Sequence, residues 1–314
     1  MSMLDRCQLE TFAAVVEHQS FEKAALALNI TRGAVSQRIK TLESILCRVL
    51  LIRENPVLPT PMGEIVLRHV NAVRLLEQEV YLQVGSSRKQ HERARLSVAV
   101  NADSLATWFG ECSHALLEKI PVALEVVVED QNHTWPMLLR GEVTGCVCTE
   151  PKPAKGFEVL PLGAMEYRCV ATQEFAKAHF SGGLKLHEAI RVPAILCNRK
   201  DSLHDEFFRL LFEVDVDRYV KHYFPSPMAR LRAIQLGSGY GVVPAKQVAH
   251  LLRLGKLIDL APSTQLSVPL YWHRWQQEPP MARQVSEFLV ETARVALITD
   301  GAEYRRIQPV DATA

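Results

Sequence analysis

The chain of 314 residues has almost no net charge: 36 Lys and Arg stand against 35 Asp and Glu, a formal +1. That balance excludes a protein that grips nucleic acid through a pervasively basic surface, so any affinity for DNA must be concentrated in one region. No apolar run approaches the roughly 20 residues needed to span a bilayer, which excludes membrane spans. The N-terminal MSMLDRCQLE has no apolar core of a secretory signal, so a cytoplasmic location is expected. No phosphate-binding G-x-x-x-x-G-K-[ST], no dinucleotide-binding G-x-G-x-x-G and no G-x-S-x-G nucleophile turn occurs. Asp201-x-x-His204 and Gly237-Ser238-Gly239 are the superficially catalytic features, and neither has the strand-turn-helix setting of a nucleophile elbow. An enzyme on an α/β scaffold is therefore the weaker alternative. The seven cysteines form no C-x-x-C pair, which predicts free thiols in a reducing compartment. Cys146 and Cys148 share one face of a strand without histidine at zinc spacing, so neither metal nor other cofactor is expected. A thiol sensor built on such a pair is a further alternative, although cysteines on apolar strands are usually inert.

What is present begins at Ser20–Glu43, SFEKAALALNITRGAVSQRIKTLE. Ser20 suits the N-cap of a short helix with a small-residue face at Ala24, Ala25 and Ala27. Asn29 fits a turn with left-handed backbone, and Thr31 suits the N-cap of a second helix. At about 100° per residue, Val35, Ile39 and Leu42 fall in one apolar arc of that helix and Gly33, Ser36, Gln37 and Lys40 in the opposite one. Arg32 and Arg38 lie at the borders. The outward arc carries hydroxyl, amide and ammonium groups and no carboxylate, which suits a DNA groove: Gln reads adenine, Arg guanine, and Lys and Ser reach phosphates or base edges. Between Ser20 and Pro61, Lys23, Arg32, Arg38, Lys40, Arg48 and Arg53 outnumber Glu22, Glu43 and Glu54, a local excess of three positive charges. The bland alternative is a helical hairpin with a solvated basic face. Thr31, Arg32, Gly33, Ser36, Gln37, Arg38, Lys40 and Arg53 are the expected DNA contacts, Arg53 from a wing spanning Cys47–Pro61 and either touching backbone or paired with Glu54.

Leu9, Phe12, Ser20-Phe21, Ala24-Ala25, Leu28, Ala34-Val35-Ser36, Ile39 and Leu42-Glu43, followed by Leu50, Arg53, Thr60 and Gly63, resemble the winged helix-turn-helix of LysR-type transcriptional regulators. The resemblance runs along essentially the whole chain. VNADSLATW (100–108), VED (128–130), RGEV (140–143) and LYWHR (270–274) are similar to the ArgP/LysG group of that family, which senses basic amino acids. It implies L-lysine or L-arginine as effector and an amino-acid exporter gene as target. Three places depart from the pattern. Cys47 stands where the family has Gly, Leu51 where it has Phe, and Pro227-Met228 replace the Ser-Glu pair expected after Ser226. Losing that carboxylate would weaken or change recognition of a basic side chain.

Length predicts about two domains or slightly more. The expected architecture is α/β multidomain: a winged helix-turn-helix over residues 1–61, a linker and dimerisation helix over 62–90, and an effector-binding domain over 91–314. Met62–Arg88 reads as one helix with the stripe Ile65, Val66, His69, Val70, Val73, Leu76, Val80 and Tyr81, which suits a dimer seam or packing on its own domain. A two-fold dimer would offer two reading helices to a roughly palindromic double-stranded site, and dimers would pair into tetramers. From Ala94 strands alternate with helices. The resemblance implies two lobes like a periplasmic binding protein, lobe I at about 91–165 and 267–299 and lobe II at about 166–266. They would be joined by crossovers near Gly163–Arg168 and Thr264–Pro269.

In open α/β sheets ligands sit beyond the carboxyl ends of strands. Three such ends are expected to line an effector cleft: Asn101, Asp103 and Ser104; Glu129 and Asp130; Thr149 and Glu150. Asn198, Asp201 and Ser226 join them from the second lobe. Between Ala99 and Glu150 eight acidic residues face only Lys119 and Arg140. An acidic pocket beside a helix N-terminus suits a zwitterion with an extra cationic side chain. The partners expected are thus double-stranded DNA, an amino-acid effector, a second copy of the chain and, for an activator, RNA polymerase.

Overall fold

A computed structural model describes residues 4–84, 93–129, 134–216 and 218–297. Three helices open it: α1 (Arg6–His18), α2 (Phe21–Ala27) and α3 (Arg32–Leu46). Local chemistry sets their ends. The Ser20 hydroxyl accepts from Lys23 N at 3.4 Å and the Thr31 hydroxyl from Ala34 N at 3.1 Å, each satisfying a first-turn amide that the helix leaves free. Asn29 takes φ 52° in the turn between α2 and α3. Val35, Ile39 and Leu42 are fully buried against Phe12, Ala13 and Ala24. The wing pairs β1 (Leu51–Ile52) with β2 (Leu58–Pro59) antiparallel.

Helix α4 (Pro61–Val84) follows and is about 36 Å long at 1.5 Å per residue. Its expected stripe divides by direction. Val70 and the half-buried Val66 join the core of the first domain, as does Leu67. Ile65, Leu76, Val80 and Tyr81 point outward, between 46% and 55% exposed, in line with Met62 and Val84. The helix is bonded to both neighbouring domains. Arg74 pairs with Glu10 and Glu17, both at 2.6 Å, and Arg6 pairs with Glu77. On the other side Arg68 donates to Leu139 O, Asn71 to Gly141 O, and Glu79 accepts from Met281 N.

The remaining elements are, in order, β3 (Ala94–Val100), α5 (Ala102–Ser104), α6 (Gly110–Lys119), β4 (Val122–Val128), α7 (Thr134–Leu139), β5 (Gly145–Cys148), β6 (Phe157–Ala171), α8 (Gln173–His179), α9 (Leu186–Ala189), β7 (Ala194–Leu196), α10 (Leu203–Phe212), β8 (Lys221–Tyr223), α11 (Pro227–Gln235), β9 (Gly241–Pro244), α12 (Ala245–Arg253), β10 (Ile258–Asp259), β11 (Leu266–Trp275) and α13 (Pro280–Ala296). A π-helical turn, Leu105–Phe109, makes α5 and α6 one run of helical backbone. Strand order is β10-β6-β11-β5-β3-β4, with β9 also on β6. β3 lies parallel to β4 and β5, whereas β6 and β11 are antiparallel over their lengths. These two long strands carry the chain between lobes. Their register shifts between Leu270 and Tyr271, opposite Gly163, whose φ of 131° a side chain would resist. In lobe I a buried relay closes α13 onto β11: Trp272 Nε1 donates to Ser286 Oγ at 2.9 Å, and Ser286 Oγ to Glu278 at 2.7 Å.

Candidate DNA-reading helix and effector cleft

The outward arc of α3 is open. Gly33, Gln37 and Lys40 are exposed and Ser36 is half-buried, while the opposite arc is sealed in the domain core. The border arginines are engaged within the domain: Arg32 pairs with Glu22 at 3.1 Å, and Arg38 donates to Thr11 Oγ1 at 3.2 Å. Thr31 is committed to its cap. Arg53 pairs with Glu43 at 2.9 Å and stacks near the Phe21 ring; its carboxylate is thus not the adjacent Glu54. Among the described residues, the Gln37 amide and the Lys40 ammonium on this face have no ion-pair partner.

The carboxyl ends of β3, β4 and β7 meet across a cavity of about 480 Å³. Asn101, Asp103 and Glu129 line it from lobe I and Asn198 and Asp201 from lobe II. Asn101 accepts from Ser104 N at 3.2 Å and so fixes the turn into the helix. Asp201 accepts from Cys197 N at 2.8 Å and from Leu203 N at 3.0 Å, tying the β7–α10 loop to itself. Four expected residues sit elsewhere. Thr149 and Glu150 line a separate cavity of about 410 Å³ with Trp135 and Cys148, because β5 ends on the far side of β3 from the cleft. Ser104 is fully buried beneath the cleft wall, its hydroxyl without a hydrogen-bond partner among the described residues. Ser226 caps α11 through Ala229 N at 3.5 Å and is not among the lining residues. Asp130 lies outside the described residues.

Two residues that the sequence did not single out dominate the cleft floor. Arg230, on the buried face of α11 and 1% exposed, reaches across the lobes to Asp103 at 2.6 Å and lies 3.8 Å from Asp201. Tyr167 of β6 is buried and lines the same cavity. Burial pushes the Asp103 carboxyl up; burial also opposes the Arg230 charge, but the two aspartates outweigh it and hold the guanidinium charged. The available signal was a charged residue among Leu231, Ala233 and Ile234 on the inward arc of a helix, which has to find a partner when buried.

The expected acidic pocket does not form from the acidic run. Glu111 and Glu118 are on the outer surface, Glu142 pairs with Arg140, and Glu150 turns back to Lys152 N. Of the described acids in that run only Asp103 and Glu129 reach the cleft, and Arg199, Lys200 and Arg230 line it with them. The cysteine pair is less uniform than inert core thiols would be. Burial pushes Cys146 up, while Cys146 itself and the His273 ring favour the Cys148 thiolate against burial.

Comparison with known proteins agrees with this arrangement. Residues 7–64 match the bacterial regulatory helix-turn-helix of the lysR family, and residues 89–294 match the LysR substrate binding domain. The HTH-type transcriptional regulator ArgP of Pseudomonas fluorescens is 37% identical over 297 residues, covering 94% of this chain and 99% of that protein. The crystal structure of ArgP from Mycobacterium tuberculosis superposes with a TM-score of 0.83 at 37% identity, over 94% of this chain and 99% of its own. Full-length LysG from Corynebacterium glutamicum, with bound effector Arg, gives 0.76 at 32% identity over the same shares. These relatives are regulators, not enzymes. The two family matches, which together span most of the chain, and 37% identity to ArgP over nearly its full length identify the chain as a member of the LysR family of DNA-binding transcriptional regulators.

Proposed function

We propose that this regulator reads DNA through Gln37 and Lys40 of α3 and changes its grip when an amino acid occupies the cleft between the lobes. The observation that carries this reading is the pairing of an open, acid-free helix face with a polar cavity at the strand ends, the two linked by α4. Two copies act together, because α4 leaves Met62, Ile65, Leu76, Val80 and Val84 outward in one line with a spacing that suits a helix partner. Dimers then pair into tetramers on a roughly palindromic site, and effector occupancy alters how they associate, and for an activator how they meet RNA polymerase. The occupant can shift that equilibrium only as far as it binds one arrangement better than the other.

The LysG structure holds Arg, which favours a basic amino acid as effector; the exporter gene as target rests on the sequence resemblance alone. One observation favours a different side chain in the same cleft. Arg230 already holds Asp103, so the position that would attract a cationic group carries one. An amino acid is common to both readings.

The reading is tested on DNA selected by the protein from a random-sequence pool. Gln37→Ala should flatten preference at one base pair of each half-site by about 1–3 kcal/mol while leaving the others unchanged. Identical affinities of Gln37→Ala and wild type across all single-base variants would remove α3 from base reading.

A further inference from the structure

We propose that Arg230 determines specificity in the cleft: it fills, from within the chain, the place that a ligand's cationic side chain would take, so the site selects a zwitterionic amino acid whose side chain carries no positive charge. This rests on the reading of the cleft as the effector site and names the class of effector.

The two buried carboxylates of the cleft are already satisfied. Asp103 accepts from Arg230 Nη2 at 2.6 Å, while both oxygens of Asp201 are taken by the backbone amides of Cys197 and Leu203. Neither has need of a ligand ammonium. A lysine or arginine side chain placed beside them would meet the Arg230 guanidinium in a buried setting, where like charges repel more strongly than in water. Arg230 is itself incompletely satisfied. Among the described residues its buried Nε has no hydrogen-bond partner, and the residue lines the cavity. A buried donor without an acceptor is costly, and a ligand carboxylate is the group that a guanidinium edge accommodates best.

The rest of the lining has the same balance. Arg199 and Lys200 of lobe II and Glu129 of lobe I also line the cavity. With Asp103, Asp201 and Arg230 on the floor, acids and bases in the lining are equal in number. That balance suits a ligand of no net charge, with carboxylate toward the basic residues and ammonium toward Glu129. Leu203 and Pro225 supply apolar wall for an uncharged side chain. The Arg230–Asp103 bond spans the two lobes, so a carboxylate that draws on this guanidinium acts where the lobes are held together.

The test is a thermal-shift and calorimetric comparison on the full chain. L-glutamine and L-methionine represent uncharged side chains, and L-arginine and L-lysine cationic ones. Wild type should bind at least one of the uncharged pair tenfold or more tightly than either cationic one. Arg230→Met, which leaves Asp103 uncompensated, should reverse the order and gain tenfold or more for arginine or lysine. An arginine that merely supports the fold would instead weaken all four alike when replaced. Tightest binding of arginine or lysine by wild type overturns the inference and leaves the amino-acid site standing. Binding of none of the four overturns the amino-acid site, and the inference with it. Should Arg230→Met fail to fold, the wild-type ranking alone decides.

Discussion

Cys47 shows how one residue can sit against its backbone. It ends α3 with φ 51°, its amide bonded to Glu43 O and Ser44 O, in the left-handed region where a Cβ is strained and glycine is not. Cys47→Gly should therefore stabilise the DNA-binding domain by about 1 kcal/mol, read as a raised melting temperature in calorimetry; an unchanged or lowered value would mean the thiol contributes more than the strain costs. Residue-level features that depend on near neighbours were legible in the sequence. Ser20, Asn29 and Thr31 act within three or four positions of themselves, and each takes the expected role. Arg230 was not legible, because its partner Asp103 lies 127 positions away and only the folded lobes bring them together. The Pro227-Met228 departure lies on the same helix as Arg230.

Helix α4 is the element on which the two-copy reading stands. Its inward residues pack on two domains, and its outward line has no cover among the described residues. Leu76→Glu should place a charge in that line without disturbing either domain core, and should dissociate the dimer in sedimentation equilibrium at micromolar concentration. A mass unchanged from wild type would show that the copies meet elsewhere. A second element-level prediction concerns β11 and α13. Burial outweighs the Ser286 hydrogen bond and Arg274, and raises the Glu278 carboxyl to about 7. The folded state thus keeps a proton that the unfolded chain releases near the ordinary carboxylate value. The stabilisation from this group is complete below that value and is lost as pH rises to 7 and beyond. Glu278→Gln, neutral throughout, should flatten the fall in stability between pH 5 and 7; a wild-type slope in the variant would place the titration elsewhere. Among elements, the strands with plain apolar runs were legible. The first half of β6 was not, since Pro161 and Gly163 read as strand breakers, yet pairing with β11 carries the strand through them at its register shift.

At the scale of the molecule, linear charge is a poor guide and connectivity a good one. Of the described acids between Ala99 and Glu150, Asp103 and Glu129 line the cleft and the others lie on the surface elsewhere, because successive strand ends and helix faces point in different directions. The two-lobed arrangement followed from strand-helix alternation and family resemblance, and β6 and β11 run antiparallel over their lengths. What links function across the chain is α4. Arg74 fixes it to the DNA-binding domain through Glu10 and Glu17, and Arg68, Asn71 and Glu79 fix it to lobe I. A change in lobe I therefore has a continuous path of packed and bonded groups to α3. Coupling of this kind is reciprocal: an amino acid that alters DNA affinity must have its own affinity altered by DNA in equal measure. The direct test is a thermal-shift screen of the twenty amino acids on the full chain, followed by titration of the best one with and without the selected DNA. The account predicts that at least one raises the melting temperature, and that DNA changes its Kd by the same factor by which it changes the Kd for DNA. An amino acid bound equally well with and without DNA, or none bound at all, would contradict it.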